Sequence, residues 1–519
     1  MSRNPRPSIE HARIHAVLLL LGSLAILVAA CTPSAHAAGS RPPSGVAEQR
    51  LREWLEVFNG KVDGGPNDYP QVSAALERFA QERLAAQVGP VERERWTGGW
   101  LGARHDGGRV VVVSMSAPTK TTANAILRAT ASEDQYWLVT VEVQPEAPHA
   151  ITLLKVQPTE RPSSVARIPR LSEAQAIKVI RRELAGRAAK EEFSGAVQIA
   201  SEGRVLFQGA YGFADRERSV QNSVETRFRI ASMNKMFTGT AIVQLAQAGR
   251  LSLQDSVGKY LPDYPNKELA SKVTVHQLLT HTGGTGDFFG EPAYSTNRDA
   301  FKELRDYTNA LGTRGVRFEP GTQWEYSNYG YIILGRVIEA VSGESYYDYV
   351  REHIYQPAGM ARTDSLAETE DVQARATGYS GPIGARERND STLPYRGSSA
   401  GGGYSTVGDL TRFAQALTEH RLLNRDFTDL LTTGKVNTGG ERLLKYAYGF
   451  EDVCKDGVRH VGHYGGAPGM NGALMIVTTP PHYVIAVLAN VDPPAAERVA
   501  KFIRARLPAQ ESQCPNQSP

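Results

Sequence analysis

Hydrophobic positions divide the chain into a short N-terminal segment and a longer C-terminal one. In the first segment, large apolar residues recur at helical spacing: Leu51, Trp54, Leu55 and Phe58. From residue 110 the pattern changes to short β-branched and aromatic runs, which predict a series of strands up to residue 157. Helices followed by strands predict a small α+β domain over residues 47–159, with the helices packed on an antiparallel sheet.

The longer segment contains apolar runs that flank turns near both of its ends. Residues 193–200 and 205–211 lie on either side of a Ser-Glu-Gly turn. Residues 473–478 and 483–489 lie on either side of a turn with two prolines. Each arrangement predicts a β-hairpin.

Helices are predicted outside both hairpins. Residues 160–190 are expected to form a linker and then a helix with Ser172 as its N-cap, and residues 495–507 form the closing helix. We therefore predict a mixed α/β (α+β) domain over residues 191–510, with one antiparallel sheet built from both ends, flanking helices and a helical lobe. Residues 511–519 are expected to form a tail.

The N-terminus has the pattern of a secretory signal peptide over residues 1–30. Three arginines precede an apolar run from Ala16 to Ala30. This run is short for a membrane-spanning helix, which needs about 20 residues. We expect an exported, periplasmic protein.

Two cleavage sites are compatible with this signal. The sequence Val28-Ala29-Ala30-Cys31 resembles a lipobox, in which Cys31 would be lipidated and would attach the protein to a membrane. An ordinary site at residues 35–37 would instead remove Cys31. Residues 31–46, rich in Ser, Pro, Ala and Gly, are expected to form a flexible tether.

Composition excludes several classes of function. The net charge is only +3, without the dense basic clusters of a nucleic-acid-binding protein.

Export would allow Cys454 and Cys514 to form a disulfide, but two free thiols are equally compatible with the sequence. His460 and His463 would lie on opposite faces of a strand, so we expect no metal site at this pair. The sequence implies no other cofactor.

Ser232 and Lys235 form the first candidate for chemistry. If Ser232 opens a helix, a residue three positions later lies on the same face, so the lysine amine can reach the serine hydroxyl. A serine hydroxyl needs a base to become a nucleophile, and a buried lysine with a lowered pKa can be that base. The pair alone also fits a serine N-cap followed by a surface lysine.

A second motif strengthens this interpretation. Tyr326 and Asn328 stand in a Tyr-Ser-Asn triplet that precedes an apolar run. A tyrosine can pass a proton between nucleophile and leaving group, and an asparagine amide can hold a substrate carbonyl. A third motif, His463-Tyr464-Gly465-Gly466, precedes the last hairpin, where glycines let a substrate approach the backbone closely.

These motifs resemble the serine β-lactamase and penicillin-binding-protein superfamily, over about residues 193–507. The branch most similar contains class C β-lactamases, D-aminopeptidases and related esterases. The matching segments occur in family order at residues 228–238, 251–262, 273–284, 319–331, 400–410 and 462–469.

The resemblance implies a role for each candidate residue. Ser232 would be the acylated nucleophile, Lys235 its base and Tyr326 a proton shuttle. Asn328, His463, Gly465 and Gly466 would bind the substrate. The backbone N–H groups of Ser232 and Gly466 would form the oxyanion hole.

The third motif departs from the family pattern. β-Lactamases and transpeptidases usually carry Lys-Thr-Gly there, and this chain has His-Tyr-Gly. A histidine is often neutral at pH 7, which favours an esterase or peptidase over a β-lactamase. His281, in a His-Thr-Gly sequence, precedes Tyr326 and is expected to form a structural turn.

The sequence predicts a serine hydrolase that acts on ester, D-amino-acid peptide or β-lactam substrates. A D,D-carboxypeptidase of cell-wall metabolism and a non-catalytic binding protein on the same fold remain alternatives. The N-terminal run around Trp54 loosely resembles NTF2-like or cystatin-like modules, which implies a spacer or docking role for that domain.

Overall fold

The computed structural model describes residues 45–60, 69–438 and 444–511. The predicted signal peptide, Cys31, nearly all of the tether and the tail after residue 511 lie outside these ranges. Within the described ranges, no helix combines the length and the apolar character needed to cross a bilayer. The described chain forms two compact units that divide between Arg167 and Ile168.

The N-terminal unit has the predicted order of helices followed by strands. Its elements are α1 (Val46–Asn59), α2 (Tyr69–Arg83), α3 (Pro90–Gly107), β1 (Val110–Ser116), β2 (Thr122–Ala129), β3 (Tyr136–Val143) and β4 (Ile151–Thr159). The strands form an antiparallel sheet in the order β1-β2-β3-β4. Trp54 and Phe58 of α1 and Trp100 of α3 lie in the core of this unit.

The larger unit begins with helix α4 and a hairpin and ends with a hairpin and a helix. Its sheet and the elements that flank it at both ends are α4 (Glu173–Ala189), β5 (Gly195–Ser201), β6 (Arg204–Tyr211), β13 (Val436–Asn437), β14 (Leu444–Tyr446), β15 (Glu451–Lys455), β16 (Val458–Ala467), β17 (Met470–Val477), β18 (Tyr483–Ala489) and α16 (Ala495–Arg506). Ser172 caps α4 through a capping box with Gln175, as predicted.

Mostly helical material lies between the two ends of this unit. The longer helices are α5 (Asn234–Gln247), α10 (Leu304–Leu311), α11 (Asn328–Ser342), α14 (Val407–Thr418) and α15 (Arg425–Thr432). The shorter helices are α6 (Val257–Tyr260), α7 (Lys267–Lys272), α8 (Val275–Leu279), α9 (Pro292–Thr296), α12 (Tyr346–Val350) and α13 (Gln356–Ala358), with 3-10 turns at Ala231–Met233 and Arg298–Ala300 and a π-turn at Arg351–Tyr355. The small strands are β7 (Phe213–Asp215), β8 (Val220–Gln221), β9 (Phe228–Arg229), β10 (Tyr379–Ser380), β11 (Glu387–Arg388) and β12 (Tyr404–Ser405).

One antiparallel sheet joins both ends of the unit, in the order β13-β14-β15-β16-β17-β18-β5-β6. Its central strands are buried on both faces. Alternate residues such as Val197 and Ile485 pack against α4 and α16, whereas Leu474 and Leu488 pack against the helical lobe. Because α4 packs on this sheet, the helix belongs to the larger unit and not to the linker at residues 160–172.

Cys454 lies on β15 and is disulfide-bonded. Its partner cysteine lies outside the described residues. Of the two arrangements that the sequence left open for Cys454, the structure therefore contains the disulfide-bonded one.

Candidate active site

Ser232 lies in the turn that leads into helix α5. Its amide is at the N-terminal end of a helical segment, where unpaired N–H groups favour negative charge. The preceding residue, Ala231, has a φ of 47°, a conformation that residues with a β-carbon rarely adopt. Strained backbone of this kind is found at functional sites, and here it presents a half-buried, partly exposed serine.

Lys235 lies one turn further along α5, and its Nζ is 3.3 Å from Oγ of Ser232. This matches the geometry expected from the i, i+3 spacing. The amine also contacts Oδ1 of Asn328 at 2.7 Å and the backbone carbonyl of Ala400. Lys235 is completely buried, and burial lowers its pKa to about 7, while the negative charge of Asp287 acts in the opposite direction.

Tyr326 lies beside both residues. Its ring centroid is 4.7 Å from Nζ of Lys235, and its hydroxyl forms a hydrogen bond with the side chain of Ser232. Burial raises the pKa of Tyr326 well above its usual value, and the hydrogen bond with Ser232 opposes this only in part. The phenol therefore keeps its proton at neutral pH, as a group that passes a proton to a leaving atom must.

Asn328 opens helix α11, whose N-cap is Ser327. The two ends of its amide have different partners. Oδ1 faces Lys235, and Nδ2 donates to Oδ2 of Asp287 at 2.7 Å. Asp287 is buried, and burial raises the pKa of its carboxyl.

His463 lies on β16 with both ring nitrogens engaged. Nε2 is 2.9 Å from the hydroxyl of Tyr446, and Nδ1 hydrogen-bonds the backbone carbonyl of Tyr464. Burial, together with the charge of Lys235, lowers the pKa of His463 to about 3. The third motif therefore carries no positive charge at neutral pH.

Gly465 and Gly466 follow on the same strand and pair with β17. A β-carbon at Gly465 would lie 2.2 Å from the carbonyl oxygen of Ile230 and 3.0 Å from the amide nitrogen of Ser232. Only glycine allows β16 to approach the backbone of Ser232 so closely. This approach places Gly466 on the strand that lies against the Ser232 turn, as an oxyanion hole requires.

His281 forms a turn, with a φ of 60°. Its Nδ1 accepts a hydrogen bond from the backbone N–H of Ser327 at 3.0 Å. Its ring centroid is 4.3 Å from that of Tyr326. The residue expected to be structural therefore also supports the Tyr-Ser-Asn segment.

The larger unit thus brings together every candidate of the three motifs: Ser232, Lys235, Tyr326, Asn328, His463, Gly465 and Gly466. Sequence reasoning missed Asp287 and Tyr446. Asp287 lies six positions after His281, just beyond a motif that carried the resemblance, and that proximity was the available signal. Tyr446 comes from β14 and had no motif around it.

The comparisons with known proteins agree with this arrangement. The family Beta-lactamase matches residues 180–510, which is more than half of the chain. A Bacillus subtilis protein with the name "Putative penicillin-binding protein PbpX" is 31% identical over 254 residues, which cover 48% of this chain and 61% of that protein. The chain therefore spans less than two thirds of the length of this curated relative.

Solved structures show the same fold. A penicillin-binding protein from Bacillus halodurans is 31% identical with a TM-score of 0.56, and the match covers 63% of this chain and 98% of that one. A D-stereospecific amidohydrolase from Streptomyces is 25% identical with a TM-score of 0.54, over 64% and 98% of the two chains. The predicted fold and family resemblance are confirmed, and the chain belongs to the Beta-lactamase family of serine hydrolases.

Proposed function

We propose that this protein is an exported hydrolase that transfers the acyl group of an uncharged ester or amide first to Ser232 and then to water. One observation carries the proposal: a buried amine with a pKa of about 7 lies 3.3 Å from Oγ of Ser232. A neutral amine at that distance can accept the hydroxyl proton as the oxygen attacks a carbonyl carbon.

The remaining residues support both halves of the reaction. When Oγ bonds to the carbonyl carbon, the backbone N–H groups of Ser232 and Gly466 stabilise the oxyanion. The phenol of Tyr326 gives a proton to the leaving group as its bond to carbon breaks, and the proton that Lys235 took from Ser232 replaces it on the phenol, which leaves the amine neutral again. Water then attacks the acyl-serine, and its proton returns through the same groups while the ester bond to Ser232 breaks.

A fluorophosphonate probe tests the nucleophile. We expect one adduct, mapped by mass spectrometry to Ser232, that is absent in Ser232→Ala. Ser271→Ala, a change at an exposed serine of α7, is the matched control and should label like the wild type. Labelling that persists in Ser232→Ala would refute the proposal, and absence of labelling in the wild type would favour a binding protein on this fold.

The neutral side chain of His463 in the third motif favours substrates that carry no negative charge. A lysine at that position would attract a substrate carboxylate, whereas His463 is held neutral between Tyr446 and Tyr464. We expect p-nitrophenyl esters and D-amino-acid amides to acylate the protein faster than penicillin or a peptide ending in D-Ala-D-Ala. His463→Lys should shift this ratio towards the carboxylate-bearing substrates, provided that its melting temperature shows a folded protein.

A D,D-carboxypeptidase is the second candidate, because PbpX and the Bacillus halodurans protein are named as penicillin-binding proteins. Release of D-Ala from a muropeptide analogue, compared with cleavage of a p-nitrophenyl ester, separates the two. Release of D-Ala at the higher kcat/KM would replace our proposal with this one.

Export to the periplasm and anchoring through Cys31 are part of the proposal. The arginines and the apolar run before Cys31 support them. The intact mass of the mature protein tests them, since lipidated Cys31 and cleavage after residue 37 give different masses. Cys31→Ser should abolish lipidation and release the protein from the membrane fraction.

A further inference from the structure

Asp287 is a buried carboxylate next to the site that the proposed reaction does not use. It is 8% exposed and lies in the loop between α8 and α9. Oδ2 accepts from Nδ2 of Asn328 at 2.7 Å and from the backbone N–H of Asn328 at 3.4 Å. Oδ1 accepts from the backbone N–H groups of Phe288 and Phe289 at 2.6 and 3.2 Å.

These contacts fix which end of the Asn328 amide faces Lys235. An amide has a donor end and an acceptor end, and a carboxylate can only accept. The NH2 end of Asn328 must therefore face Asp287. The oxygen is left to face Nζ of Lys235, at 2.7 Å.

The orientation of this amide decides where the lone pair of Lys235 points. A neutral amine has two N–H donors and one lone pair. Two oxygens, Oδ1 of Asn328 and the carbonyl of Ala400, accept the two N–H groups. The lone pair is left for the neighbour at 3.3 Å, the hydroxyl of Ser232.

We propose that Asp287 is a positioning residue: its carboxylate holds the amide of Asn328 in the one orientation that leaves the lone pair of Lys235 for the proton of Ser232. This inference rests on the proposed function. A flipped amide would present NH2 to the amine, and the amine would have to turn its lone pair towards that NH2 and away from Ser232.

A merely structural role is the alternative. Asp287 also caps the turn at Phe288 and Phe289, and an asparagine at position 287 would keep one oxygen for those two N–H groups. A structural role therefore predicts little change in Asp287→Asn. The positioning role predicts a large one, because two NH2 groups would then face each other.

Exchanging the two side chains tests the positioning role. In Asp287→Asn/Asn328→Asp, the new amide donates to the new carboxylate, which still accepts from Lys235. We expect Asp287→Asn to slow fluorophosphonate labelling of Ser232 by about 10- to 100-fold, which is less than the 100- to 10,000-fold contribution of a general base, because Lys235 itself remains. At a pH where its lysine is neutral, the exchange should label Ser232 faster than Asp287→Asn does. Glu291→Gln removes a nearby carboxylate that pairs with Arg314, and it should label like the wild type.

The pH dependence of the labelling rate distinguishes the two roles, because loss of the turn cap alone would not shift the pH profile. The titratable groups that face Lys235 are Asp287, His281, His463, Tyr326 and Tyr331. Asp287→Asn removes a negative charge that raises the pKa of Lys235. The acid limb, which is the pH range over which the labelling rate rises as Lys235 loses its proton, should therefore move to lower pH. The exchange puts the charge in contact with the amine and should move the limb to higher pH.

Urea unfolding of the four proteins tests the same hydrogen bonds without activity. Each single substitution, Asp287→Asn or Asn328→Asp, should lower the unfolding midpoint, and the exchange should be more stable than the sum of the two predicts. Additive midpoints, or labelling of Asp287→Asn at the wild-type rate, would overturn the inference. If the wild type is not labelled at all, the proposed function fails, and the unfolding midpoints still decide whether Asp287 and Asn328 are paired as the inference requires.

Discussion

The hydroxyl of Tyr446 lies 2.9 Å from Nε2 of His463, and the other nitrogen of this ring determines the direction of the hydrogen bond. Nδ1 of His463 faces the backbone carbonyl of Tyr464, which can only accept, so Nδ1 carries the hydrogen. Nε2 must then accept a hydrogen bond from the hydroxyl of Tyr446. Both side chains are buried, so water cannot easily replace either partner.

Removing this hydroxyl should destabilise the protein. Tyr446→Phe leaves Nε2 of His463 buried without a donor, which costs about 1–3 kcal/mol of unfolding free energy. Urea unfolding at pH 7 measures the loss. Tyr448→Phe is the matched control, since its hydroxyl contacts His276, which is only half-buried and open to water. An equal loss of unfolding free energy in both variants would show that the hydroxyl of Tyr446 stabilises the protein no more than the hydroxyl of Tyr448.

The rate of acylation should rise with pH through about 7. Lys235 acts as a base only after it loses its proton, and burial lowers its pKa to about 7. Titration of His463 should cause no further change of the acylation rate between pH 5 and 9, because burial lowers its pKa to about 3. A profile of kcat/KM for a p-nitrophenyl ester checks this. An acid limb near pH 10 would mean that the lysine is not neutral in the working enzyme.

The same lysine should make stability depend on pH. Its pKa is about 7 when folded and 10.5 when exposed, so between these values only the unfolded chain binds the proton. The unfolding free energy should therefore rise with pH from about 7 to about 10.5, by up to about 1.4 kcal/mol per pH unit. Burial also lowers the pKa of Lys435, to about 8, so Lys235→Met is compared with the wild type to isolate the contribution of Lys235. Parallel curves would contradict the prediction.

Local patterns predicted the fold where neighbours in sequence are neighbours in space. The strands β5 and β6 lie within two residues of their predicted bounds, since β-branched runs around a tight turn pair with each other. By contrast, β17 begins at Met470, earlier than predicted. Asn471 and Gly472 are poor strand formers, and pairing with Gly466 and Gly465 brings them into the sheet.

The same distinction applies to the site. The contact between Ser232 and Lys235 follows from one helical turn and could be predicted from spacing. Asp287 and Tyr446 reach the site from a loop and from a strand near the edge of the sheet. Their roles depend on hydrogen bonds to Asn328 and His463, and no local period in the sequence encodes such long-range contacts.

Removing the amine should block acylation and leave the fold intact. Lys235→Ala should slow fluorophosphonate labelling by about 100- to 10,000-fold, the usual contribution of a general base. The free energy of unfolding should not show a loss to match this loss of rate, because burying an amine costs free energy that alanine avoids. Lys259→Ala, at an exposed lysine paired with Asp255, is the control and should label normally. Labelling of Lys235→Ala at the wild-type rate would rule out the general-base role.

Strand β16 approaches the turn at Ser232 too closely for a side chain at position 465. In Gly465→Ala, the new methyl group would lie 2.2 Å from the carbonyl of Ile230 and 3.0 Å from the amide of Ser232, so either the strand or the turn must move. An oxyanion donor displaced in this way costs about 100- to 1,000-fold in kcat. Gly186→Ala, on α4 with open space around it, should keep full activity and gain about 0.5–1 kcal/mol of stability. If Gly465→Ala kept its kcat, the N–H groups beside it could not be the ones that stabilise the oxyanion.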